Sequence, residues 1–172
     1  MLAERLKKSI IDYPDFPKKG IIFKDLSPVF ADPILFSDLI EKISSYPIYS
    51  ETEAIISIDA RGFILGSAVA NKIKKPLILA RKKNKLPGLL IEAEYGLEYG
   101  KDYLSIQESA IKSFQKFVIV DDLLATGGTA KCVKDMLRLK NKDVLALSVV
   151  VELSSLKGSE FLDLPVYSEI KF

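Results

Sequence analysis

The sequence predicts an α/β fold in which a mainly parallel sheet is flanked by helices. Three observations carry that expectation. The runs AIISI (54–58), KFVIVD (116–121) and DVLALSVVVEL (143–153) are apolar on both faces, as strands covered on both sides must be. These runs alternate with segments of helical period, the order that parallel strands joined by crossover helices produce. A chain of 172 residues, 48% of them hydrophobic, is long enough for one domain with a sizeable core.

Taken in order, Leu2, Leu6 and Ile10 recur at i, i+4 and i+8, so a short amphipathic helix opens the chain and stops before the Pro- and Gly-rich DYPDFPKKG. Asp32 followed by Pro33 is an N-cap and first helical residue for a helix running to about Ser45. AIISI is a strand and DARG (59–62) its loop, after which Ile64, Leu65, Ala68, Val69 and Ile73 lie on one helical face. LILAR (77–81) is the next strand. KFVIVD leads through a glycine-containing loop into a helix whose Val133, Met136, Leu137 and Leu139 pack inward, and DVLALSVVVEL is a long buried strand. No repeat, low-complexity tract or linker divides residues 1–172, which read as a single domain.

Composition narrows the chemistry. With no His and one Cys, Cys132, the chain cannot build a Ser–His–Asp or Cys–His triad, a disulfide or the common zinc sites. Catalysis must use carboxylates, Lys, Arg, Tyr, backbone amides or an oxygen-held metal. Twenty-five Lys plus Arg against twenty-three Asp plus Glu give +2, too balanced for a dedicated nucleic-acid binder. The first residues, MLAERLKKSI, lack the apolar centre of a signal peptide, and no stretch approaches the roughly 18 apolar residues of a spanning helix. The expectation is a soluble, cytoplasmic protein with no membrane partner.

Ligands of parallel sheets bind beyond the carboxyl ends of the strands, which points to DARG, RKKNKLPG (81–88) and DDLLATGG (121–128). The last is the most informative. In VIVDDLLATGGT (118–129) a buried strand delivers Asp121 and Asp122, and Ala125, Thr126, Gly127, Gly128 and Thr129 turn the chain into a helix. Adjacent glycines let successive N–H groups face one concavity, and the helix adds its positive dipole end, which together suit a phosphate. Two carboxylates would repel that phosphate but can accept hydrogen bonds from sugar hydroxyls and stabilise a cationic sugar, so a phosphorylated ribose is expected. A glycine-rich helix start with an Asx turn is the plainer alternative. Neither GxxxxGK[ST] nor GxGxxG occurs, which removes P-loop and dinucleotide-fold readings.

VIVDDLLATGGT resembles the phosphoribosyl-diphosphate (PRPP) motif of the type I phosphoribosyltransferases. YPDFPKKGIIFKDLSP (13–28), DARGF (59–63), RKKNKLPG with YGLEYG (95–100), and VELSSLKG (151–158) narrow the resemblance to the adenine phosphoribosyltransferases. It spans nearly the whole chain in the right order. It implies the type I fold with a small N-terminal hood (1–30) and a mobile loop (82–100), and transfer of the 5-phosphoribosyl group of PRPP to adenine, giving AMP and diphosphate with Mg²⁺ in a homodimer.

The resemblance also implies roles. Ala125 to Thr129 hold the 5′-phosphate, and Asp121 and Asp122 hold the ribose hydroxyls beside an oxocarbenium-like transition state. Mg²⁺ is held through PRPP and water, with no protein metal ligands. Arg61 reaches the diphosphate, or else forms a surface ion pair. The composition of Lys82 to Gly100 reads as a mobile hairpin or hood whose basic end, with Lys82, Lys85 and Tyr99, closes over diphosphate and excludes water, or else as a solvated charged loop. Glu98 is the candidate general acid/base, and Arg81 reaches PRPP across a dimer interface. Adenine is read by Ile22, Phe23 and Lys24, with Phe23 stacking on the base, and Ser27 belongs to the same substrate-binding segment. Lys24 stands where the family usually has Arg, and Asp59 where many members have Glu. A xanthine or hypoxanthine phosphoribosyltransferase, or a PRPP- or purine-binding regulator without turnover, are the competing functions.

Overall fold

The computed structural model describes residues 1–97 and 100–172. Among them, no helix is long and apolar enough to cross a membrane. Helix α1 (Leu2–Ser9) leads into strand β1 (Ile11–Pro14), which pairs antiparallel with β2 (Ile22–Asp25) as a separate two-stranded sheet. The segment DYPDF, expected as loop, is therefore partly strand, because Pro14 sits at the end of the ladder where its missing N–H costs little.

Two short helices follow. The first, α2 (Ser27–Ala31), was not signalled by the sequence, whereas α3 (Pro33–Ser44) begins where the Asp32–Pro33 pair places it. The Asp32 carboxylate accepts from the N–H groups of Ile34 and Leu35, at 3.0 and 2.9 Å.

The large sheet is built from β3 (Ala54–Ile58), β4 (Leu77–Lys82), β5 (Leu90–Leu97), β6 (Gly100–Gln107), β7 (Lys116–Val120), β8 (Leu123–Leu124), β9 (Asp143–Glu152) and β10 (Val166–Lys171). Its order is β10-β9-β7-β3-β4-β6-β5, with β8 against the end of β9. The five strands from β10 to β4 run parallel, and the β5–β6 hairpin extends that edge antiparallel. The second part of the 82–100 segment is thus a paired strand.

Both faces of the parallel strands are covered. On one, Ile56, Ile58, Phe117 and Ile119 meet Val133, Met136 and Leu137 of α6 (Gly128–Leu139). On the other, Ile55, Val118 and Val120 meet α1, α3 and α4 (Gly62–Ile73) through Leu6, Leu35, Leu39, Leu65 and Val69. Alternate residues of one strand enter opposite cores, which is why these strands read as continuous apolar runs.

Two expectations about helix faces are corrected. Ile64 is 42% exposed and Leu139 76% exposed. In α4 the inward stripe is Gly62, Leu65, Gly66, Val69 and Ala70, which leaves Ile64 off it, and Leu139 lies in the last turn of α6, past the covered sheet.

Candidate active site

The carboxyl ends of β3, β7 and β9 open toward the hood sheet, and a cleft of about 760 Å³ lies there. One wall is Ile22, Phe23 and Lys24 of β2. The opposite wall is Asp121 and the turn from Leu123 to Ala130, and Arg61, Leu153, Leu156 and Phe172 also line it.

Asp121 and Asp122 follow β7 directly. The Asp121 N–H donates to Ser148 at 3.0 Å, while the Asp122 carbonyl accepts from both Val150 and Val151 at 3.1 Å, so the chain bulges as it leaves the strand. Burial pushes the Asp121 carboxyl well above its ordinary range, and the neighbouring charge of Asp122 pushes the same way. Burial also raises Asp122, opposed first by Arg61. Arg61 Nε faces Asp122 Oδ2 at 2.8 Å, yet this buried oxygen accepts no aligned hydrogen bond. Ser57 knits the region together, its hydroxyl lying 2.6 Å from the carbonyl of Gly62 and 2.9 Å from that of Val120.

The turn after β8 has the geometry of an anion nest. Gly127 takes φ 86° and ψ −3°, a left-handed conformation that costs a residue with a side chain about 1–2 kcal/mol. The first turn of α6 then starts from the Gly127 carbonyl, which accepts from Lys131 N at 2.9 Å and leaves the N–H groups of Gly128, Thr129 and Ala130 without helical partners. Behind the nest stands α7 (Gly158–Leu162). A Cβ on Gly158 would lie 2.2 Å from the Ala125 carbonyl and 3.1 Å from Gly127 N, so the turn is seated against bare backbone. Buried Lys134 of α6 donates to the carbonyls of Leu162 and Asp163, tying α7 in place, and burial lowers its pKa. No local pattern in the sequence marks Lys134 or Gly158 as supports of the turn.

On the facing wall, Phe23 packs edge-on against Phe16 at 5.2 Å, and the Arg61 guanidinium sits 4.9 Å from the Phe23 centroid. Arg61 also donates to the Lys24 carbonyl at 3.2 Å. It therefore bridges the hood and the carboxylate pair.

The remaining expected residues are placed differently. Ser27 is exposed on α2, its hydroxyl and N–H both directed to Asp25, whose pKa they lower. Arg81 pairs with Asp59 at 3.1 Å, Lys82 with Asp102 at 3.3 Å, and Lys85 is exposed; these three do not line the cleft. Glu98 and Tyr99 lie outside the described residues. The residues that sequence reasoning missed are Leu153, Leu156 and Phe172; the first two lie in the VELSSLKG block, which marked the family but not a role for them, and Phe172 carries no motif.

An anion nest, a buried carboxylate pair and an aromatic-lined hood around one cleft at a parallel sheet edge define a phosphoribosyl-transferring domain. Residues 33–162 match the model of the phosphoribosyl transferase domain. The chain is 57% identical over 165 residues to an adenine phosphoribosyltransferase of Prochlorococcus marinus (strain AS9601), covering 96% of this chain and 97% of the relative. It is 44% identical over 167 residues to that of Mycoplasmopsis pulmonis (strain UAB CTIP), covering 96% and 97%. Among solved structures, adenine phosphoribosyltransferase from Thermoanaerobacter pseudethanolicus superposes with a TM-score of 0.93 at 38% identity, covering 99% of both chains. The Saccharomyces cerevisiae enzyme, complexed with an imino-altritol bisphosphate and adenine, gives 0.91 at 35% identity, covering 98% of both. The chain belongs to the adenine phosphoribosyltransferase family.

Proposed function

We propose that this protein transfers the 5-phosphoribosyl group of PRPP to adenine, forming AMP and diphosphate. The observation that carries the reading is the placing of the Gly127 to Thr129 nest and Asp121 around a single cleft with Phe23, while Asp122 lies buried directly behind Asp121. The nest's free N–H groups bind the 5′-phosphate. Asp122 Oδ2, without a hydrogen-bond donor, takes a ribose hydroxyl, and Asp121 favours the positive charge that develops at the anomeric carbon. Both carboxylates are fixed before substrate arrives, so their field costs no reorganisation during reaction.

Arg61, already beside Asp122, swings its fork toward the diphosphate when PRPP enters. Ile22, Phe23 and Lys24 hold adenine, the ring by stacking and the edge by backbone N–H and C=O groups, which distinguish a 6-amino from a 6-oxo purine. Glu98 serves as general acid/base on the purine, and Tyr99, Lys82 and Lys85 close the diphosphate side.

The oxygens at the cleft, those of Asp121 and Asp122, are hard donors suited to Mg²⁺ held through ribose hydroxyls or water, and among the described residues no three His, Cys, Asp or Glu side chains gather to cage a metal. When bound, Mg²⁺ supplies neutralisation of the leaving diphosphate.

We also propose a homodimer. Leu79 and Arg81 share one side of β4, Arg81 lies 5.8 Å from the Phe63 ring, and Leu79 and Ile64 are exposed apolar residues. Sedimentation gives the mass. A cytoplasmic location follows the same reading.

The test of the reaction is product formation from PRPP with adenine, hypoxanthine, xanthine or guanine. AMP should form far faster than the other nucleotides. Rates with a 6-oxo purine at or above that with adenine overturn the base assignment, and PRPP binding without turnover of any base favours a regulator.

A further inference from the structure

Strand β2 lines the cleft but shares no strand pairing with the large sheet. Besides the contact of Phe23 with Arg61, it is attached to the body of the domain through Lys24. Lys24 is 9% exposed, and its ammonium lies 2.7 Å from Asp12 Oδ2 and 3.8 Å from the centroid of the Phe172 ring. That distance is well within the roughly 6 Å over which a cation is drawn to an aromatic face.

The Phe172 backbone is itself held from the other side. Its N–H donates to Glu152 at 3.0 Å and its carbonyl accepts from Ser154 at 2.8 Å, so its position is set by the end of β9. The same ring lines the cleft with Ile22 and Phe23. Lys24 is thus gripped twice, by side chain at Phe172 and by its carbonyl at Arg61, 3.2 Å away.

We propose that Phe172 is a positioning residue for base recognition: its ring holds the Lys24 ammonium and so sets the backbone of residues 22–24 at the base-binding wall. This rests on the reading that residues 22–24 hold adenine.

The test uses the full chain. Phe172→Ala should raise the KM for adenine about tenfold, equivalent to about 1.4 kcal/mol, with kcat and the KM for PRPP within about twofold. Phe172→Tyr keeps the aromatic face and should restore the parent values. Lys24→Met, which also releases Asp12, should give at least that KM rise, and the double variant Lys24→Met/Phe172→Ala little more than Lys24→Met alone, because the contact with Phe172 is already broken in it. Hydrogen exchange provides a readout independent of turnover: amides of residues 21–25 should exchange faster in Phe172→Ala, while those of β3 stay as in the parent. An unchanged adenine KM, additive effects in the double variant, or unchanged β2 exchange each overturn the proposal. Failure of the base reading shows differently, as a parent protein with no adenine turnover, and the exchange comparison then still decides whether Phe172 holds β2.

Discussion

Arg61 Nε lies 2.8 Å from Asp122 Oδ2, so the guanidinium of the DARG loop counters, before any substrate binds, a carboxylate that burial would otherwise keep protonated. Arg61→Met removes that pull and raises the Asp122 pKa further. The acid limb of the kcat/KM profile should therefore move to higher pH, and a limb that stays put or moves lower refutes the pairing. The sign for stability is the same. A carboxyl raised above its ordinary 3.8 binds more protons folded than unfolded, so stability falls as pH rises through the folded value. The variant widens that window, and its cost should grow toward neutral pH, to about 1–2 kcal/mol because Arg61 is partly solvated. Thermal melts across pH check it.

Asp121→Asn should stabilise the free protein while slowing catalysis. Burial and Asp122 both oppose the Asp121 charge. Asn removes the charge and keeps an acceptor for the Asp122 N–H at 2.9 Å. The gain should be on the order of 1–2 kcal/mol at pH 7 and vanish below about pH 3, where the parent carboxyl is neutral in both states. Turnover should fall at least about tenfold, the equivalent of about 1.4 kcal/mol of lost transition-state stabilisation. A melt showing no gain at pH 7 would contradict the buried-charge account.

Gly127→Val should cost PRPP affinity at least about a hundredfold, an energy of about 2.7 kcal/mol. The φ of 86° strains a side chain, and a Cβ there would lie 2.9 Å from the Gly158 carbonyl. The same clash falls on the fold, so Tm should drop by roughly 5–15 °C for a combined cost of about 2–4 kcal/mol. Calorimetry of the folded variant showing near-parent PRPP affinity refutes the nest.

Glu98→Gln should lower turnover by about 10²–10⁴, the usual range for a general acid–base group, with adenine and PRPP affinities changed much less. A residue that only orients adenine would raise KM and keep kcat. Turnover within about twofold of the parent removes Glu98 from catalysis.

The parallel core was legible because its signals are local. Asp32–Pro33 marks a cap on its own, and the run from Ala54 to Ile58 is apolar because it lies between two cores. Strands β1, β5 and β6 were not, since Pro14 reads as a breaker, and Glu92, Glu94, Asp102 and Tyr103 read as a charged loop until cross-strand partners are known. Gly127 announced the nest, whereas Lys134 announces nothing and Gly158 was visible only as the end of the VELSSLKG block: their supporting role depends on a helix lying behind a turn about thirty residues away. Phe172 and Leu156 reach the cleft the same way, and tertiary approach leaves no periodicity to read. The roles of Glu98 and Arg81 came from family likeness alone.

The two walls of the cleft belong to sheets with no shared ladder: Phe23 rides on the β1–β2 pair, the nest on the eight-stranded sheet. Substitutions in one wall therefore need not propagate through backbone hydrogen bonds into the other. If the β1–β2 pair reads the base as proposed, altering some fifteen residues between Ile11 and Asp25 would retune which heterocycle is accepted while the proposed grip on the sugar phosphate stays as it is. Grafting that short span between relatives of different base preference is the natural route to engineered variants, provided the graft carries its own partner for the ring of Phe172.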